Sequence, residues 1–404
     1  MQAESSSSDA ALSLQAQRNL RLPFRFGLGA ACAGLVLLLA GCGHFQSTPP
    51  DKYVYVTAKQ SYLLDRIAAV SNRTGEVNNG EKLVVLGRAR KFVKVRAPGG
   101  AVGWIKESAV ATQETFDTFT SLGKKHANDP AVGNATVRDE ANLHVTPGRD
   151  TEYFFHLAEG DKLQLLSRAT LTKAAVPGAA PAAPVAKTKG NEAAAAPPPP
   201  AMEDWWLARD AQGHTGWILS RRMDVEAPDT LTRYAEGQRI VGAYVLAHVD
   251  DPDSGQLRDG HPDPDVPIYV TVLGPYKAGL PYDFDQVRVF TWNLKKHRYE
   301  TAFREKNIEG YLPVVIKNAT DPYGHAANSA TPLPAFTYRV LAADAPAPVP
   351  DPTTGVVTPG RLIARTYRLE GNITRRVVAP GTPPELVAHP APEENKKDAK
   401  KHKR

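Results

Sequence analysis

The alternation of hydrophobic and polar positions divides the chain into an apolar start and a long series of short strand-like segments. Residues 26–40 form an uncharged apolar run of 15 residues, preceded by Arg18, Arg21 and Arg25. A basic segment followed by a short apolar run is typical of a secretory signal. The run is also shorter than the roughly 20 residues that a membrane-spanning helix needs. The pattern therefore predicts export rather than a permanent membrane span.

The apolar run ends in Leu39-Ala-Gly-Cys42, which resembles the lipobox of bacterial lipoproteins. The resemblance implies a signal peptide over residues 1–41, cleavage after Gly41 and acylation of Cys42. Residues 42–52 would then link a lipid anchor to the folded part, and membrane lipid is the first expected partner. Gly43 follows the lipidated residue in place of Asp. This implies a cell-envelope location, at the periplasmic face of the outer membrane if the organism is Gram-negative.

Two segments of the chain repeat each other. The segment Gly80-Glu-Lys-Leu-Val-Val-Leu-Gly-Arg88 matches Gly160-Asp-Lys-Leu-Gln-Leu-Leu-Ser-Arg168 at an offset of 80 residues. Further on, Phe92 precedes Gly103-Trp-Ile105 as Trp205 precedes Gly216-Trp-Ile218, now at an offset of 113 residues. The second copy therefore carries an insertion of 33 residues, the Ala- and Pro-rich stretch 169–201. This composition favours an extended linker that buries no core of its own.

Each copy consists of short β-rich segments separated by turns, such as Lys82-Leu-Val-Val-Leu86 and the alternating Phe92-Val-Lys-Val-Arg96. About 60 residues of short strands suit a small closed barrel. The two copies resemble the bacterial SH3-like domain (SH3b), the first over residues 53–112 and the second over residues 131–226. The resemblance implies binding of peptides or cell-wall material, so peptidoglycan or a peptide is an expected ligand.

The resemblance also implies that exposed aromatic side chains line a ligand groove, because flat rings stack on sugars and peptide backbones. The candidates are Tyr62, Phe92, Tyr153, Trp205 and Trp206. Strand alternation is expected to turn one of Trp205 and Trp206 inward and the other outward, and the outward one is the better candidate. Trp104 and Trp217 are expected to be core residues that close the barrels.

Residues 229–385 contain about seven further strand-like segments, which predict an antiparallel sandwich or barrel of no recognised family. The whole chain is thus predicted to be all-β: two small SH3-like barrels followed by a β-sandwich or barrel domain, with Pro- and Ala-rich linkers. Residues 386–404 end in a cluster of Lys and Arg and are predicted to be a disordered basic tail.

An acidic loop over residues 250–265 raises the question of a metal site. Asp251, Asp253 and Asp259 are weak candidate ligands, since Ca²⁺ prefers clustered carboxylate oxygens. Their spacing misses the EF-hand pattern, and the prolines of the segment favour a plain turn-rich loop. No metal and no other cofactor is predicted.

The chain has a formal net charge of +6 and two cysteines, Cys32 and Cys42. Loss of the signal and acylation would leave no thiol for a cysteine nucleophile. No compact zinc motif and no Gly-x-Ser-x-Gly is present. We therefore expect a non-catalytic envelope lipoprotein, not an enzyme, that binds wall material or peptides through tandem SH3-like domains.

Two alternatives stay open at this point. One is an accessory or regulatory partner of a cell-wall hydrolase or envelope assembly complex, which would have an envelope protein as partner. The other is a hydrolase with an unrecognised β domain, whose paired carboxylates would need no local motif. Nucleic acid is not an expected partner of an exported protein.

Overall fold

The computed structural model describes residues 52–173, 200–258, 260–324 and 328–391. The predicted signal peptide, Gly41 and Cys42 lie outside the described residues, as do Asp259, residues 174–199 of the insertion and residues 392–404. Among the helices of the described part, none is both long and apolar enough to cross a membrane.

The first seven strands form one antiparallel sheet, which we call sheet 1. The strands are β1 (Tyr53–Val56), β2 (Gln60–Leu64), β3 (Arg73–Asn78), β4 (Lys82–Ala89), β5 (Phe92–Arg96), β6 (Val102–Lys106) and β7 (Val110–Thr112). Their spatial order is β3-β2-β6-β5-β4-β1-β7. Alternate residues face the interior, so Val93 and Val95 of β5 are buried with Leu63, Leu83 and Ile105.

A helix that the sequence analysis did not predict, α1 (Gln113–Lys125), follows sheet 1 directly. It begins at Thr112, whose hydroxyl oxygen accepts a hydrogen bond from the backbone N–H of Thr115 (3.2 Å). Phe116 stacks on Tyr55 of β1, with ring centroids 4.1 Å apart. Phe119 is buried in the core of the following sheet. Phe116 and Phe119 are three positions apart and lie on one face of α1, so this face packs between the two repeats.

The second repeat forms sheet 2, again with seven antiparallel strands. They are β8 (Gly133–Val137), β9 (Ala141–His144), β10 (Tyr153–Leu157), β11 (Lys162–Thr172), β12 (Met202–Asp210), β13 (Thr215–Leu219) and β14 (Met223–Val225). The spatial order β10-β9-β13-β12-β11-β8-β14 is that of sheet 1, strand for strand. The Ala- and Pro-rich insertion joins β11 to β12, which pair up to Thr172 and Met202. A hairpin tip is a place where an insertion leaves the core intact.

The remaining strands form sheet 3, preceded by the short helix α2 (Asp229–Thr232). They are β15 (Arg239–Asp250), β18 (Asp265–Gly274), β19 (Phe284–Asn293), β20 (Arg298–Ile316), β21 (Ala335–Leu341), β22 (Leu362–Glu370) and β23 (Ile373–Arg376). Each of these strands pairs with the next one in this order. The two strands between β15 and β18, β16 (Leu257–Arg258) and β17 (His261–Pro262), form a separate hairpin. Sheet 3 wraps around one apolar core that includes Val270, Phe284 and Phe336. Several antiparallel sheets, including a half-barrel, confirm the prediction of an all-β fold.

A buried ionic network joins sheet 2 to sheet 3. Arg168 of β11 donates from Nε to Asp283 (2.8 Å) and from Nη2 to the carbonyl oxygens of Leu280 (3.0 Å) and Tyr282 (2.9 Å). Its Nη1 lies 3.5 Å from Asp204, which precedes the two tryptophans of β12. This junction positions the cleft described below.

The disordered tail predicted from residue 386 onwards begins too early in the chain to agree with the structure. Residues 386–388 pair with residues 341–343 at the end of β21, because the backbone N–H of Ala343 donates to the carbonyl oxygen of Leu386 (3.0 Å) and that of Ala388 donates to the carbonyl oxygen of Leu341 (2.9 Å). Composition predicts a disordered tail over residues 386–404, whereas Leu386 and Val387 extend the backbone pairing before the basic cluster begins.

Candidate functional site

Trp205 and Trp206 are both buried, which corrects their assignment as candidate ligand residues. Trp206 faces the core of sheet 2, beside Ile218, and is 4% exposed. Trp205 faces the opposite side, as strand alternation predicts, but it is 2% exposed. Leu122 of α1 and Val356 cover that side. The sequence pattern predicted the alternation correctly, and the covering elements decide that neither ring reaches solvent.

The other three candidate aromatics are accessible; Tyr62 and Phe92 lie on sheet 1, whereas Tyr153 lies on sheet 2. Tyr62 of β2 is half-buried, with the guanidinium of Arg73 3.7 Å from its ring centroid. Phe92 at the start of β5 is also half-buried. Tyr153 of β10 is 40% exposed and lies beside the ring of His144. The structure thus does not bring the five candidates together in one groove.

The two tryptophans expected in the cores also need correction. Trp104 is half-buried on the outer side of β6, because Gly103 and Ile105 take the inward positions. Trp217 is buried, but in the apolar cluster outside the core of sheet 2, together with Trp205. Both rings therefore lie on the outer faces of their sheets.

The acidic loop is held by hydrogen bonds to aromatic and imidazole nitrogens. Asp251 is 4% exposed; its Oδ2 accepts from Trp292 Nε1 (2.7 Å) and lies 2.7 Å from His297 Nδ1. The hydrogen bond from Trp292 is the main reason that the pKa of Asp251 lies below its usual value. The N–H of Asp253 donates back to Asp251 Oδ1 (3.1 Å). Across the described residues, no group of three metal-type ligands converges.

A cleft of about 840 Å³ opens between sheet 2 and sheet 3, and we call it the interdomain cleft. Four stretches line it: the start of β12, the segment from Leu219 to Val225, the linker that carries α2, and residues 276–278 of the β18–β19 loop next to the start of β15. No local sequence motif marks these stretches, because they come together only when the two sheets pack.

A desolvated ion pair lies in the wall of the cleft. Arg239 Nη2 is 3.8 Å from Asp204 Oδ2, and their side chains are 25% and 2% exposed. Burial is the first cause that lowers the pKa of Arg239. Asp204 Oδ1 accepts from Thr170 Oγ1 (2.7 Å) and from the N–H of Gly279 (3.0 Å). Among the described residues, however, Asp204 Oδ2 and Arg239 Nε have no hydrogen-bond partner.

The rim of the cleft carries an excess of positive charge. Arg138 pairs with Asp224 (Nε to Oδ2, 2.7 Å), and Arg149 pairs with Glu203 (Nε to Oε2, 2.8 Å), so those acidic residues are neutralised. Three exposed cations have no ion-pair partner in the described part of the chain: Lys173, Arg221 and Lys277. The exposed carboxylate of Asp229 lies in the same lining, so the cleft has a small net positive charge. Sequence reasoning missed these residues.

Comparisons with known proteins give structural neighbours only, since no family model and no curated protein matches the chain. An NlpC/P60 family protein from Bacillus cereus ATCC 10987 is 10% identical, with 62% of this chain and 98% of that chain covered and a TM-score of 0.20. NlpC1 from Trichomonas vaginalis is 9% identical (63% and 88% covered, TM-score 0.14). NlpC2 from the same organism is also 9% identical (85% and 97% covered, TM-score 0.14).

These neighbours correct two expectations from the sequence. They bear the NlpC/P60 family name, which contradicts both the expected absence of enzymatic activity and the expected non-catalytic binding through tandem SH3-like domains. Their TM-scores lie far below 0.5, so they transfer no mechanism and no catalytic residue to this chain.

Proposed function

We propose that this chain is a cell-envelope protein, anchored through acylated Cys42, that takes a carboxylate-bearing peptide of the cell wall into the interdomain cleft. The observation that carries the proposal is the pairing of a desolvated Arg239 with an unsatisfied Asp204 Oδ2 beneath a rim of unpaired cations. A guanidinium presents two parallel N–H groups to a carboxylate, which favours a ligand carboxyl at Arg239. An N–H group next to that carboxyl would supply the hydrogen bond that Asp204 Oδ2 lacks.

The ligand chemistry follows from these two atoms. A free carboxyl group with a neighbouring N–H is the end of a peptide, and wall peptides combine this end with further carboxylates. The rim cations Lys173, Arg221 and Lys277 would meet the additional negative charges. The cleft volume of about 840 Å³ lies within the usual range for small-ligand sites.

Binding of purified soluble wall peptides to the mature chain tests the proposal, measured by calorimetry at low salt. Arg239→Gln is expected to weaken binding by about 2–3 kcal/mol, roughly 30- to 150-fold. Lys277→Ala, whose side chain is exposed, should weaken binding without any effect on folding. Lys317→Ala, an exposed lysine outside the cleft, is the matched control.

Two results would overturn the proposal: no binding to the parent chain, or equal binding by Arg239→Gln and Lys317→Ala. Amidation of the peptide carboxyl should cost the parent chain as much affinity as Arg239→Gln does. The same incubations are analysed for released fragments by chromatography. Fragments that disappear in Arg239→Gln would make the bound peptide a substrate.

A further inference from the structure

The outer faces of sheets 1 and 2 offer an internal comparison. In sheet 2 this face carries Trp205, Leu207, Trp217 and Leu219, and all four are buried. The covering side chains come from the same chain, namely from α1 and from the segment around Val356. In this repeat, an apolar outer face is an internal packing surface.

In sheet 1 the same face is amphipathic, and within the described part of the chain it is accessible to solvent. The equivalent positions are Phe92, Lys94, Trp104 and Lys106, which pair across β5 and β6 as Phe92 with Lys106 and Lys94 with Trp104. Both lysines are exposed, and both rings are half-buried. Where sheet 2 has two leucines, sheet 1 therefore has two cations, a substitution that suits contact with a polar, anionic environment.

The face extends across the neighbouring strand with the same character. Leu64 of β2 pairs with Trp104, and Tyr62 lies on the same side two residues earlier. The guanidinium of Arg73 lies over the Tyr62 ring. Arg96 adds a further exposed cation, and Glu76, opposite Tyr62, is the acidic residue of this face. Four cations against one carboxylate leave a clear positive excess.

We propose that this face, the outer side of β2, β5 and β6, docks on an anionic lipid bilayer. The inference rests on the proposed anchor at Cys42 and goes beyond it. Lys52, the first described residue, follows Cys42 by ten positions, and ten residues of chain span at most roughly 35 Å. Sheet 1 is thereby held next to the membrane surface, whereas sheets 2 and 3 follow later in the chain.

The chemistry of the face matches a membrane interface. Tryptophan and tyrosine rings are enriched at the level of the lipid headgroups. Lysine and arginine side chains extend their charged ends towards phosphates while their methylene stems remain on apolar groups. Each cation near an anionic membrane adds to the attraction, and the acyl anchor supplies the second membrane contact that stable attachment needs.

Trp104 provides a direct readout, because it is half-buried whereas Trp205, Trp206, Trp217 and Trp292 are each at most 7% exposed. The mature chain with Cys42→Ser, which cannot be acylated, is mixed with vesicles of phosphatidylglycerol that carry brominated acyl chains. Docking is expected to quench the fluorescence of Trp104, and Trp104→Phe should remove this quenching. Vesicles of phosphatidylcholine should give at least tenfold weaker binding.

The charge requirement is tested with Lys94→Glu/Lys106→Glu, which is expected to weaken binding to the anionic vesicles by roughly 20-fold or more. Lys295→Glu/Lys317→Glu makes the same charge change on sheet 3 and is the matched control. Equal binding by the two double variants would overturn the proposal. So would vesicle binding without quenching of Trp104, the result expected if the basic C-terminal cluster alone held the membrane.

The two proposals fail independently. Peptide binding in the interdomain cleft should be unchanged in Lys94→Glu/Lys106→Glu, and vesicle binding should be unchanged in Arg239→Gln. Mass spectrometry of the native protein tests acylation of Cys42 by itself. A lack of quenching with intact peptide binding therefore rejects only the docking face.

Discussion

The side chain of Arg168 is expected to be the strongest single polar contributor to the junction between sheet 2 and sheet 3. It is 4% exposed and bonds Asp283, Thr170 and two backbone carbonyl groups. Burial opposes its charge, but Asp283 and Asp204 outweigh this effect and raise the pKa of Arg168. The charge therefore persists in the folded state because the carboxylates surround it.

Arg168→Ala would leave Asp283 without its cation and Asp204 with only Arg239, 3.8 Å away. Asp204 and Asp283 have side chains that are 2% and 15% exposed, so water can solvate them only poorly after the change. Removal of one partner of a buried ion pair costs about 3–5 kcal/mol. The repeat supplies the matched control, because Arg88 occupies the equivalent position in sheet 1. There the pair with Glu107 is 34% and 55% exposed, and such surface pairs contribute about 0–1 kcal/mol.

Guanidinium unfolding of both variants, followed by tryptophan fluorescence, measures this difference. Trp206 reports on sheet 2 and Trp292 on sheet 3, so one signal covers both sides of the junction. We expect a large loss of unfolding free energy for Arg168→Ala and a small one for Arg88→Ala. Arg168→Lys should lie between them, because it keeps the charge and loses the forked geometry. Equal, small losses for the two alanine variants would refute the reasoning.

Three further outcomes follow from burial and charge. Trp206→Ala is expected to cost about 3–5 kcal/mol of stability; unchanged unfolding together with lost ligand binding would contradict its place in the core. Gly310→Ala would put a Cβ 2.0 Å from the Phe284 ring and should cost about 1–3 kcal/mol, whereas Gly87→Ala, with open space around it, serves as the control. Hydrogen bonds from Asn293 and Lys296 lower the pKa of Glu300 from 4.5 to about 2. The stabilising effect of ionised Glu300 is therefore complete above pH 4.5 and disappears as the pH falls through about 2. The loss of unfolding free energy caused by Glu300→Gln should shrink over that pH interval when unfolding is measured as a function of pH. A difference that stays constant with pH would contradict the lowered pKa.

The local pattern of the sequence determined the strands and their repetition. The alternation in Phe92-Val-Lys-Val-Arg96 predicts which side chains face the core, and Val93 and Val95 are indeed buried. The matching segments that end in Arg88 and Arg168 adopt the same strand order in sheets 1 and 2. These features depend on residues close in sequence or on a spacing of two along a strand, so a linear pattern is sufficient to reveal them.

Only the tertiary structure decided which outward faces reach solvent. Trp104 and Trp217 occupy equivalent positions on their strands, yet the first is half-exposed and the second is covered by side chains that are distant in sequence. The same holds for the interdomain cleft, where Asp204 and Arg239 approach each other because sheets 2 and 3 pack around Arg168. Burial and the pKa values of such groups depend on every element that packs against them. Periodicity in the sequence predicts the side of a strand on which each side chain lies. It does not predict which other elements of the chain pack against that side.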